Sequence, residues 1–449
     1  MTPLFRRQRW PLLAILTLAI CFLLYRSPPS INRQVPPIGK MLPIPPEKEG
    51  LYDTELRETH GAAQSPPQPS PNSANTVTNL DSDDLDAFIP PTHSPATGTS
   101  PAALFPHPTY TPGIPKPANS TYTRTLVIPK TSTEDVSWAQ GLLSTDPHLT
   151  LAVYDVSHPS SPASGLHAIP QNKGHEVMTY LTHIITHYNN LSDITIFMHA
   201  HAIAWHNNDL LLSSSAALVS HLSSPHVVRA GYVNLRCHQD PGCPAHIHTS
   251  GNRKPGEAGR QDGEDDANRP EVAIFAQVWK EILPGEALPE VLSQPCCAQF
   301  AVSRERIRAL PRERYVFFRE WLLQTPVEDR LSGRVWEYIW QYIWMGVPEL
   351  CPVESVCYCD GYGVCFGGED KYQEYFAKRK EAREIDKSLA EKKEKGQKIS
   401  EAEEKRLRGR IDMLTTEMEV LRKEAMERGK DPRNRAKEAG RLWKEGDGF

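Results

Sequence analysis

The central part of the chain predicts an α/β fold with a mostly parallel sheet and flanking helices. Three observations carry this prediction: strand-like runs at 123–129, 149–156 and 193–199, helical patterns between them, and short loops joining the two. Because each intervening helix returns the chain to the starting edge, successive strands of this kind run parallel. Ligands of such sheets gather beyond the carboxyl ends of the strands. We therefore expect a site at one edge of the sheet.

Local patterns assign the elements along this domain in order. The first strand leads into a helix over 132–143, which Ser132 or Thr133 would cap. After the second strand, a loop containing Gly174 precedes a helix with an apolar face that extends to Tyr188. The later segments are a helix at 209–222, a strand at 226–235, a resumption of the fold at 271–283, and aromatic-rich helices at 312–325 and 332–344. We expect the rings of those last helices to lie in the core.

The segments outside this domain differ from it in composition. Three arginines precede an uncharged apolar run at 10–25, which would be about 24 Å long as a helix and predicts a signal anchor with a cytosolic N-terminus. A cleaved signal peptide has the same charged start, but no small-residue cleavage pattern follows. The predicted order is a cytosolic tail at 1–9, a transmembrane anchor at 10–25, a disordered Pro/Ser-rich stem at 26–120, a lumenal domain at 121–368 with a disordered insert at 250–270, and a charged helical tail at 369–449. This layout predicts a single-pass type II membrane protein of the Golgi or endoplasmic reticulum, or a secreted protein if the leader is cleaved.

The cysteines agree with a lumenal domain. Cys21 lies in the apolar run, and the remaining eight form an even set, as expected of disulfides in an oxidising compartment. A zinc site is the alternative for "CPVESVCYCDGYGVC", which lacks a clean pair of C-x-x-C motifs. Disulfides are therefore predicted, although eight cysteines allow about a hundred pairings.

Surface signals bear on the partners of the chain. The formal net charge of -5 is small, so no general attraction to nucleic acid is expected. Asn119 and Asn190 begin N-glycosylation sequons, which predict a glycoprotein. In the tail, Ser400 and Glu403 form a capping box before an apolar seam typical of a short coiled coil. That helix would pair with another copy, dock on the domain or stand in solvent.

The histidines at the end of the third strand are the clearest chemical motif. His199 and His201 alternate along the strand and so share one face, where they could hold one metal ion or one diphosphate edge. His206 would join them only if the intervening loop folds back. The alternative is ordinary packing, because the motif contains no carboxylate. A metal site at His199, His201 and His206, with a divalent ion such as manganese, is therefore a hypothesis.

Acidic residues stand near the same predicted edge. Glu134 and Asp135 follow the first strand, and Glu176 follows the Gly174 loop, so all could approach the histidines. We predict that Asn172, Gly174, Glu134 and Asp135 contribute to cofactor binding. The alternative for each carboxylate is a helix start, where negative charge complements the helix dipole.

The motifs resemble those of a largely fungal family known as domain of unknown function 3431. The resemblance runs from about Thr123 to Gly367 through "QNKGHEVMTYLTHIITHYNNLSDITIFMHAH", "AIAWHNND", "PCCAQFAVSRERI", "GRVWEYIW" and the closing cysteine run. It implies the following distinctive positions in this chain: Asn172, Gly174, Glu176, Tyr180, His199, His201, Trp205, His206, Arg236, Gln299, Phe300, Arg304 and Glu337. At position 175 a histidine stands where the pattern implies an arginine, which weakens the case for a phosphate contact there.

A second resemblance bears on chemistry. The order N-x-G, helix, then a strand ending in histidine is similar to rhamnan-synthesis-type glycosyltransferases, and "CAQFAVSRERI" resembles the acceptor-side segment of transferases with the GT-A fold. Those enzymes place D-x-D where this chain has His199-Ala200-His201. The resemblance implies a GT-A-like fold in which histidines contact the diphosphate of a nucleotide sugar, with or without metal, or in which donor binding has been lost.

Two functions of different classes follow. In the first, a glycosyltransferase-like enzyme acts on lumenal glycans or cell-wall precursors, with His199 and His201 on the leaving diphosphate and Glu337 or, next, Glu176 as catalytic base. A salt bridge from Glu337 to Arg304 or Arg334 is the structural alternative. In the second, the edge binds glycan without catalysis and the tail recruits partners or self-associates. A metal-dependent hydrolase is disfavoured, because a barrel using H-x-H needs further strand-end ligands.

Overall fold

A computed structural model describes residues 110–244, 246–249 and 270–447 of the chain. The predicted cytosolic tail, anchor and most of the stem lie outside the described residues, as does nearly all of the insert at 250–270. No helix within the described ranges is long and apolar enough to cross a membrane. The last part of the predicted stem lies against the domain, where the Tyr110 hydroxyl donates to the Ile343 carbonyl at 2.5 Å.

A five-stranded mixed sheet forms the centre of the domain, and its order is β2-β1-β3-β7-β4. Its strands are β1 Arg124–Lys130, β2 Leu149–Asp155, β3 Ile194–Phe197, β4 Tyr232–Asn234 and β7 Phe300–Ser303. β1 pairs in parallel with β2 and with β3, whereas β7 runs antiparallel to both β3 and β4. A small antiparallel pair, β5 Ile247–His248 and β6 Val291–Leu292, lies outside this sheet. The predicted α/β class and mostly parallel sheet are confirmed.

The position of β1 creates the crevice that the fold needs for a ligand. β1 lies between β2 and β3. The connection that leaves β1 runs to β2 on one side, whereas the connection that leaves β3 runs toward β4 on the other side. In open α/β sheets such a switch point is where ligands bind. The segments that follow β1 and β3 therefore meet at one edge.

Helices cover the sheet and extend the chain beyond it. Their bounds are α1 Ser137–Leu142, α2 Glu176–His187, α3 Ser215–His221, α4 Ser224–Ala230, α5 Pro270–Ile282, α6 Arg304–Arg308, α7 Arg312–Gln324, α8 Asp329–Met345, α9 Glu354–Val356, α10 Glu369–Glu394, α11 Glu401–Arg428 and α12 Pro432–Glu438. The apolar face predicted for α2 is buried along the sheet, including Val177, Leu181 and Ile184.

Two predicted elements begin later in the chain than expected. The helix expected over 132–143 begins only at Ser137, without a side-chain cap, because Glu134 instead accepts hydrogen bonds from the Thr131 N–H and hydroxyl and folds a turn. The first half of the segment 226–235, predicted as a strand, belongs to helix α4. Ser223 caps this helix, and Gly231 ends it at φ 80°, so only the last residues are left for β4.

Aromatic side chains build the core between α8 and the sheet, as predicted. Trp336, Trp340 and Trp344 are fully buried along one side of α8. The Trp340 ring centroid lies 5.0 Å from that of Phe300 on β7. Burying such rings contributes several kcal/mol each to stability. This packing fixes α8 against the sheet and so fixes the position of the polar residues on its other side.

The eight cysteines of the described domain form four disulfides, which confirms the disulfide prediction. The pairs are Cys237–Cys357, Cys243–Cys351, Cys296–Cys297 and Cys359–Cys365. The first two close loops of more than a hundred residues and tie the segment after β4 to the cysteine-rich turn after α8. The third joins neighbours in sequence, just before β7.

The charged tail forms an antiparallel pair of helices within the chain. Lys378 on α10 pairs with Glu417 on α11, and Glu381, further along α10, pairs with Arg410, which comes earlier on α11. The two helices therefore run in opposite directions. The buried part of the predicted seam consists of Leu414, Met418 and Ala425. An ion pair between Arg379 on α10 and Asp209 attaches these two helices to the domain. Of the three alternatives for this helix, docking on the rest of the chain is the one observed; self-association stays a prediction.

Candidate functional site

A cavity of about 190 Å³ opens at the carboxyl ends of β1 and β3. It is lined by Pro129, Thr131, Glu134, Val156, Asn172, His175, Glu176, His199, Ala200, His201, Trp205, His206, Cys297, Gly333, Arg334 and Glu337. These residues come from the ends of both strands, the start of α2, the turn before β7 and one side of α8. Residues that are far apart in sequence therefore converge at the switch point of the sheet.

The segment His199-Ala200-His201 follows β3 and is held by its backbone. The Trp138 indole N–H donates to the Ala200 carbonyl at 2.7 Å, and the Ser215 hydroxyl donates to the His201 carbonyl at 2.6 Å. The His199 N–H donates to Gln299 Oε1 at 3.1 Å. These bonds leave the imidazoles of His199 and His201 as the side chains that this segment presents to the cavity.

A buried amide network also supports the segment His199-Ala200-His201. Gln299 Nε2 donates to Asn207 Oδ1 at 3.0 Å, while Asn207 Nδ2 donates to the Ser215 hydroxyl at 2.9 Å. Gln299 therefore uses both ends of its amide, one toward His199 and one toward Asn207. Because both residues of this amide pair are buried, each of these hydrogen bonds is expensive to lose.

His199 and His206 are neutral imidazoles near pH 7. Burial, with His201 and His175 nearby, lowers the pKa of His199 to about 3. Burial, with His199 and Arg236 nearby, lowers the pKa of His206 well below its ordinary value. His206 is 4% exposed, and its Nε2 makes no hydrogen bond within the described part of the chain. An unpartnered imidazole nitrogen in a cavity wall is suited to bind a metal ion or a hydrogen-bond donor.

The histidines do not form a preassembled three-ligand set. The ring centroids of His199 and His206 are 5.1 Å apart, so the loop does fold back toward the strand end. His201 lies toward Glu134 instead, with Nε2 and Oε1 separated by 3.9 Å. Among the described residues, the groups whose ligand atoms lie within 4.8 Å of one another combine a disulfide with a glutamate and are poor metal sites. Neutral imidazoles beside one carboxylate nevertheless suit a divalent transition metal.

Glycine residues bring the start of α2 against α8. Gly174, at φ 68°, donates its N–H to Asp329 Oδ1 at 3.1 Å. On α8, Gly333 leaves room for the His175 ring, because a Cβ there would lie only 2.4 Å from His175 Cδ2. The two helices can therefore approach closely enough for Glu176 and Glu337 to line the same cavity.

Glu176 and Glu337 form a pair of unlike carboxyl groups. Burial raises the pKa of Glu176 to about 8, and the charge of Glu337 adds to the rise. Glu337 Oε1 accepts a hydrogen bond from the Cys297 N–H at 2.6 Å, which fixes the orientation of its carboxyl group. One carboxyl group therefore holds its proton at neutral pH beside a second carboxyl group that a backbone amide orients.

The Cys296–Cys297 disulfide lies in the turn that supplies this amide. Cys297 and Ala298 have φ values of 83° and 45°, in the left-handed region that side chains rarely adopt. The bond between adjacent cysteines holds this turn at the cavity wall. The backbone N–H of Cys297 is thereby directed at Glu337 rather than at the sheet.

Of the residues predicted for the site, seven line the cavity: Glu134, Asn172, Glu176, His199, His201, His206 and Glu337. The structure does not bring Asp135 and Gly174 to its wall. Asp135 is exposed and accepts from the Ser137 N–H at 2.9 Å, the helix-start role that was its alternative. Gly174 lies behind the wall, where a Cβ would meet Leu322 at 2.6 Å.

Among the other lining residues, Arg334 and Cys297 have groups that bear on the chemistry of the cavity and were not predicted for the site. Arg334 precedes Glu337 by three positions on α8, so the helical spacing was the available signal. It also contacts Glu271 Oε1 at 3.2 Å, and Arg304 pairs with Asp193 elsewhere. For Cys297, the only available indication in the sequence was its position next to another cysteine.

Comparison with known proteins identifies a family without assigning a function. No curated protein and no solved structure matches the chain. The profile of a family described as "Protein of unknown function (DUF3431)" matches residues 126–360. That range covers more than half of the chain, contains the strands around the cavity, and includes every residue of its wall. The chain therefore belongs to the DUF3431 family.

Proposed function

We propose that the cavity binds a nucleotide sugar and that the protein is a glycosyltransferase-like enzyme acting on lumenal glycans or cell-wall precursors. The observation that carries the proposal is the pair of unlike carboxyl groups, Glu176 and Glu337, in one cavity with neutral imidazoles at the switch point of the sheet. Glycosyl transfer needs a base for the acceptor hydroxyl and stabilisation of the leaving diphosphate. The predicted anchor and the four disulfides support a lumenal location.

The geometry supports an assignment of roles. Glu337 is the base, because its carboxyl group lines the cavity and is oriented by the Cys297 N–H. Glu176 keeps its proton at neutral pH and donates a hydrogen bond to an oxygen of the sugar or the phosphate. Arg334 supplies the positive charge that a diphosphate requires.

A divalent metal fits the histidine side of the cavity. His199, His206 and the Glu134–His201 pair would hold it, since neutral imidazole and carboxylate together suit manganese and related ions. When bound, such an ion would neutralise charge on the leaving diphosphate. The same imidazoles can contact the diphosphate oxygens directly if no metal binds.

A second function, glycan binding without turnover, is favoured by Trp205. Its ring lines the cavity, and the Arg236 guanidinium lies 5.4 Å from the ring centroid. Arg236 is itself held by a 2.6 Å hydrogen bond to the Asp240 carbonyl. Aromatic rings fixed in this way offer apolar surface to the C–H faces of a sugar.

The test is a thermal-shift screen of the full chain with nucleotide diphosphates and nucleotide sugars, each with manganese or with chelator. A ligand that binds only the folded state raises Tm by a few degrees when it is present well above its Kd. We expect His199→Ala to abolish the rise. His148→Ala, which changes an exposed histidine away from the cavity, is the matched control.

The outcomes separate the two functions. A rise with a nucleotide sugar that His199→Ala removes, followed by sugar transfer or hydrolysis, supports the enzyme. A flat screen on folded protein, with a rise for free oligosaccharides that Trp205→Ala removes, overturns donor binding and supports the glycan-binding module.

A further inference from the structure

A second group of imidazoles lies outside the cavity, between α2 and the edge of the sheet. His183 and His187 are one turn apart on α2, and both point to the side on which β2 lies, where His167 joins them. The His167 backbone is fixed beside β2, because its N–H donates to the Val153 carbonyl at 2.8 Å and its carbonyl accepts from the Asp155 N–H at 3.0 Å. We call His167, His183 and His187 the edge histidine cluster.

The rings of the edge histidine cluster come within reach of a shared ion once His167 turns toward the other two. The ring centroids of His183 and His187 are 4.6 Å apart, and those of His167 and His187 are 6.3 Å apart. Histidines at positions i and i+4 of a helix present two nitrogens to one point. The His167 side chain is exposed, so its ring can rotate toward the other two without displacing the core.

Tyr154 orients the most buried member of the cluster. Its hydroxyl lies 3.0 Å from His183 Nδ1. When Nδ1–H donates to this oxygen, the lone pair of the ring is on Nε2, which is the form that binds a metal. Metal-binding histidines generally have a partner of this kind on the second nitrogen. Tyr154 also lies 5.0 Å, centroid to centroid, from His167, so it contacts two members of the cluster.

The ligand type of the cluster determines which ions it can bind. All three members are histidines, and His183 and His187 offer their imidazoles from one side of α2. A set of neutral imidazoles selects zinc, nickel, copper or cobalt ions over magnesium and calcium, which prefer oxygen ligands.

We propose that the edge histidine cluster binds one divalent transition-metal ion, with His183 and His187 as a preformed pair and His167 closing on the ion. The bound ion would tie the extended segment at His167 to helix α2. None of the three residues lines the cavity, so this site is independent of the proposed transferase function.

The experiment measures Zn²⁺ binding to the full chain by isothermal titration calorimetry. Because the cavity also contains histidines, every protein carries His199→Ala and His201→Ala as a common background. In this background we expect one zinc ion per chain, and no binding of Mg²⁺ at the same concentration. His187→Ala should weaken zinc binding at least tenfold, since it removes half of the preformed pair. Tyr154→Phe, which keeps the ring and removes the hydroxyl, should weaken it about tenfold.

The test has a matched control variant, and either of two results would overturn the proposed metal site. His148→Ala removes an exposed histidine that is not part of the cluster, and zinc affinity should stay within twofold. Folding of each variant is checked by circular dichroism in chelator. Absence of zinc binding in the folded background protein would overturn the site, and so would equal affinity in the His187→Ala variant. Neither result bears on nucleotide-sugar binding in the cavity.

Discussion

The backbone N–H of Cys297 donates a 2.6 Å hydrogen bond to Glu337 Oε1, across 40 positions of sequence. A carboxyl group that accepts from a fixed amide has its orientation set before a substrate binds. The amide is fixed because Cys297 is bonded to Cys296. This relationship makes Glu337, rather than Glu176, the group best prepared to accept a proton.

Glu337→Gln should lower turnover about a hundredfold or more and leave donor affinity within threefold of the parent value. The carboxamide can still accept from Cys297, so the wall keeps its shape, but it cannot take a proton from an acceptor hydroxyl. The measurement is the initial rate with the nucleotide sugar found by thermal shift, together with its Kd. Glu349→Gln, at an exposed position outside the cavity, is the control. Equal rates in the Glu337→Gln variant and the parent would remove Glu337 from the base role.

The raised pKa of Glu176 predicts a stability that falls with pH. The folded state holds this proton to about pH 8, whereas the unfolded chain releases it near its ordinary pKa of 4.5. The stabilisation from the proton is therefore complete below pH 4.5 and is lost as pH rises through 8. The free energy of unfolding falls by at most about 1.4 kcal/mol per pH unit because of this group. Histidines such as His183, with a pKa lowered to about 3, change stability only below about pH 6.5.

The window between pH 6.5 and 8 thus isolates Glu176. We expect the free energy of unfolding of the parent protein to fall across this window relative to Glu176→Gln, measured by urea denaturation at each pH. Glu424→Gln, an exposed change on α11, should follow the parent curve. Parallel curves for parent and Glu176→Gln would mean that Glu176 is ionised in the folded protein, and Glu176 would then lose its role as a proton donor.

Local patterns predicted the framework of the site because they report periodicity. The apolar spacing of α2 and the run that ends at Phe197 placed His199 and Glu176 near one sheet edge, and both line the cavity. The strand predicted at 226–235 begins only at Tyr232, because Ser223 and Gly231 delimit a helix before it. Capping there outweighed the strand propensity of Val227 and Val228.

The rest depended on contacts through space. Glu337 accepts from a backbone amide in a distant turn, and no spacing rule links the two residues. Asp135 and Glu134 are adjacent in sequence, yet only Glu134 reaches the cavity, because Asp135 accepts from Ser137 at the start of α1. Which of two neighbouring carboxylates faces a ligand depends on the local turn, and that turn depends on Thr131.

Gln299→Leu should destabilise the fold by about 2 to 4 kcal/mol. Leucine has about the same volume as glutamine, but it leaves the His199 N–H and Asn207 Oδ1 without their hydrogen-bond partner. Each buried polar group that is left unpaired costs about 1 to 3 kcal/mol. Urea denaturation measures the loss. Gln277→Leu, on the exposed side of α5, should change stability by no more than about 0.5 kcal/mol. If both variants behave alike, the amide network does not hold the histidine segment in place.

Gly333→Ala should weaken ligand binding in the cavity, whereas Gly409→Ala should stabilise the protein. A Cβ at position 333 would lie 2.4 Å from the His175 ring, so the ring must move or α8 must separate from α2. Gly409 also lies within a helix, but a Cβ there meets nothing within 4 Å. Gly409→Ala should therefore raise the free energy of unfolding by up to about 1 kcal/mol, the ordinary gain of alanine over glycine in a helix. Denaturation of both variants and the Kd of the cavity ligand give the comparison. Retained affinity in Gly333→Ala would show that the approach of His175 to α8 does not shape the binding site.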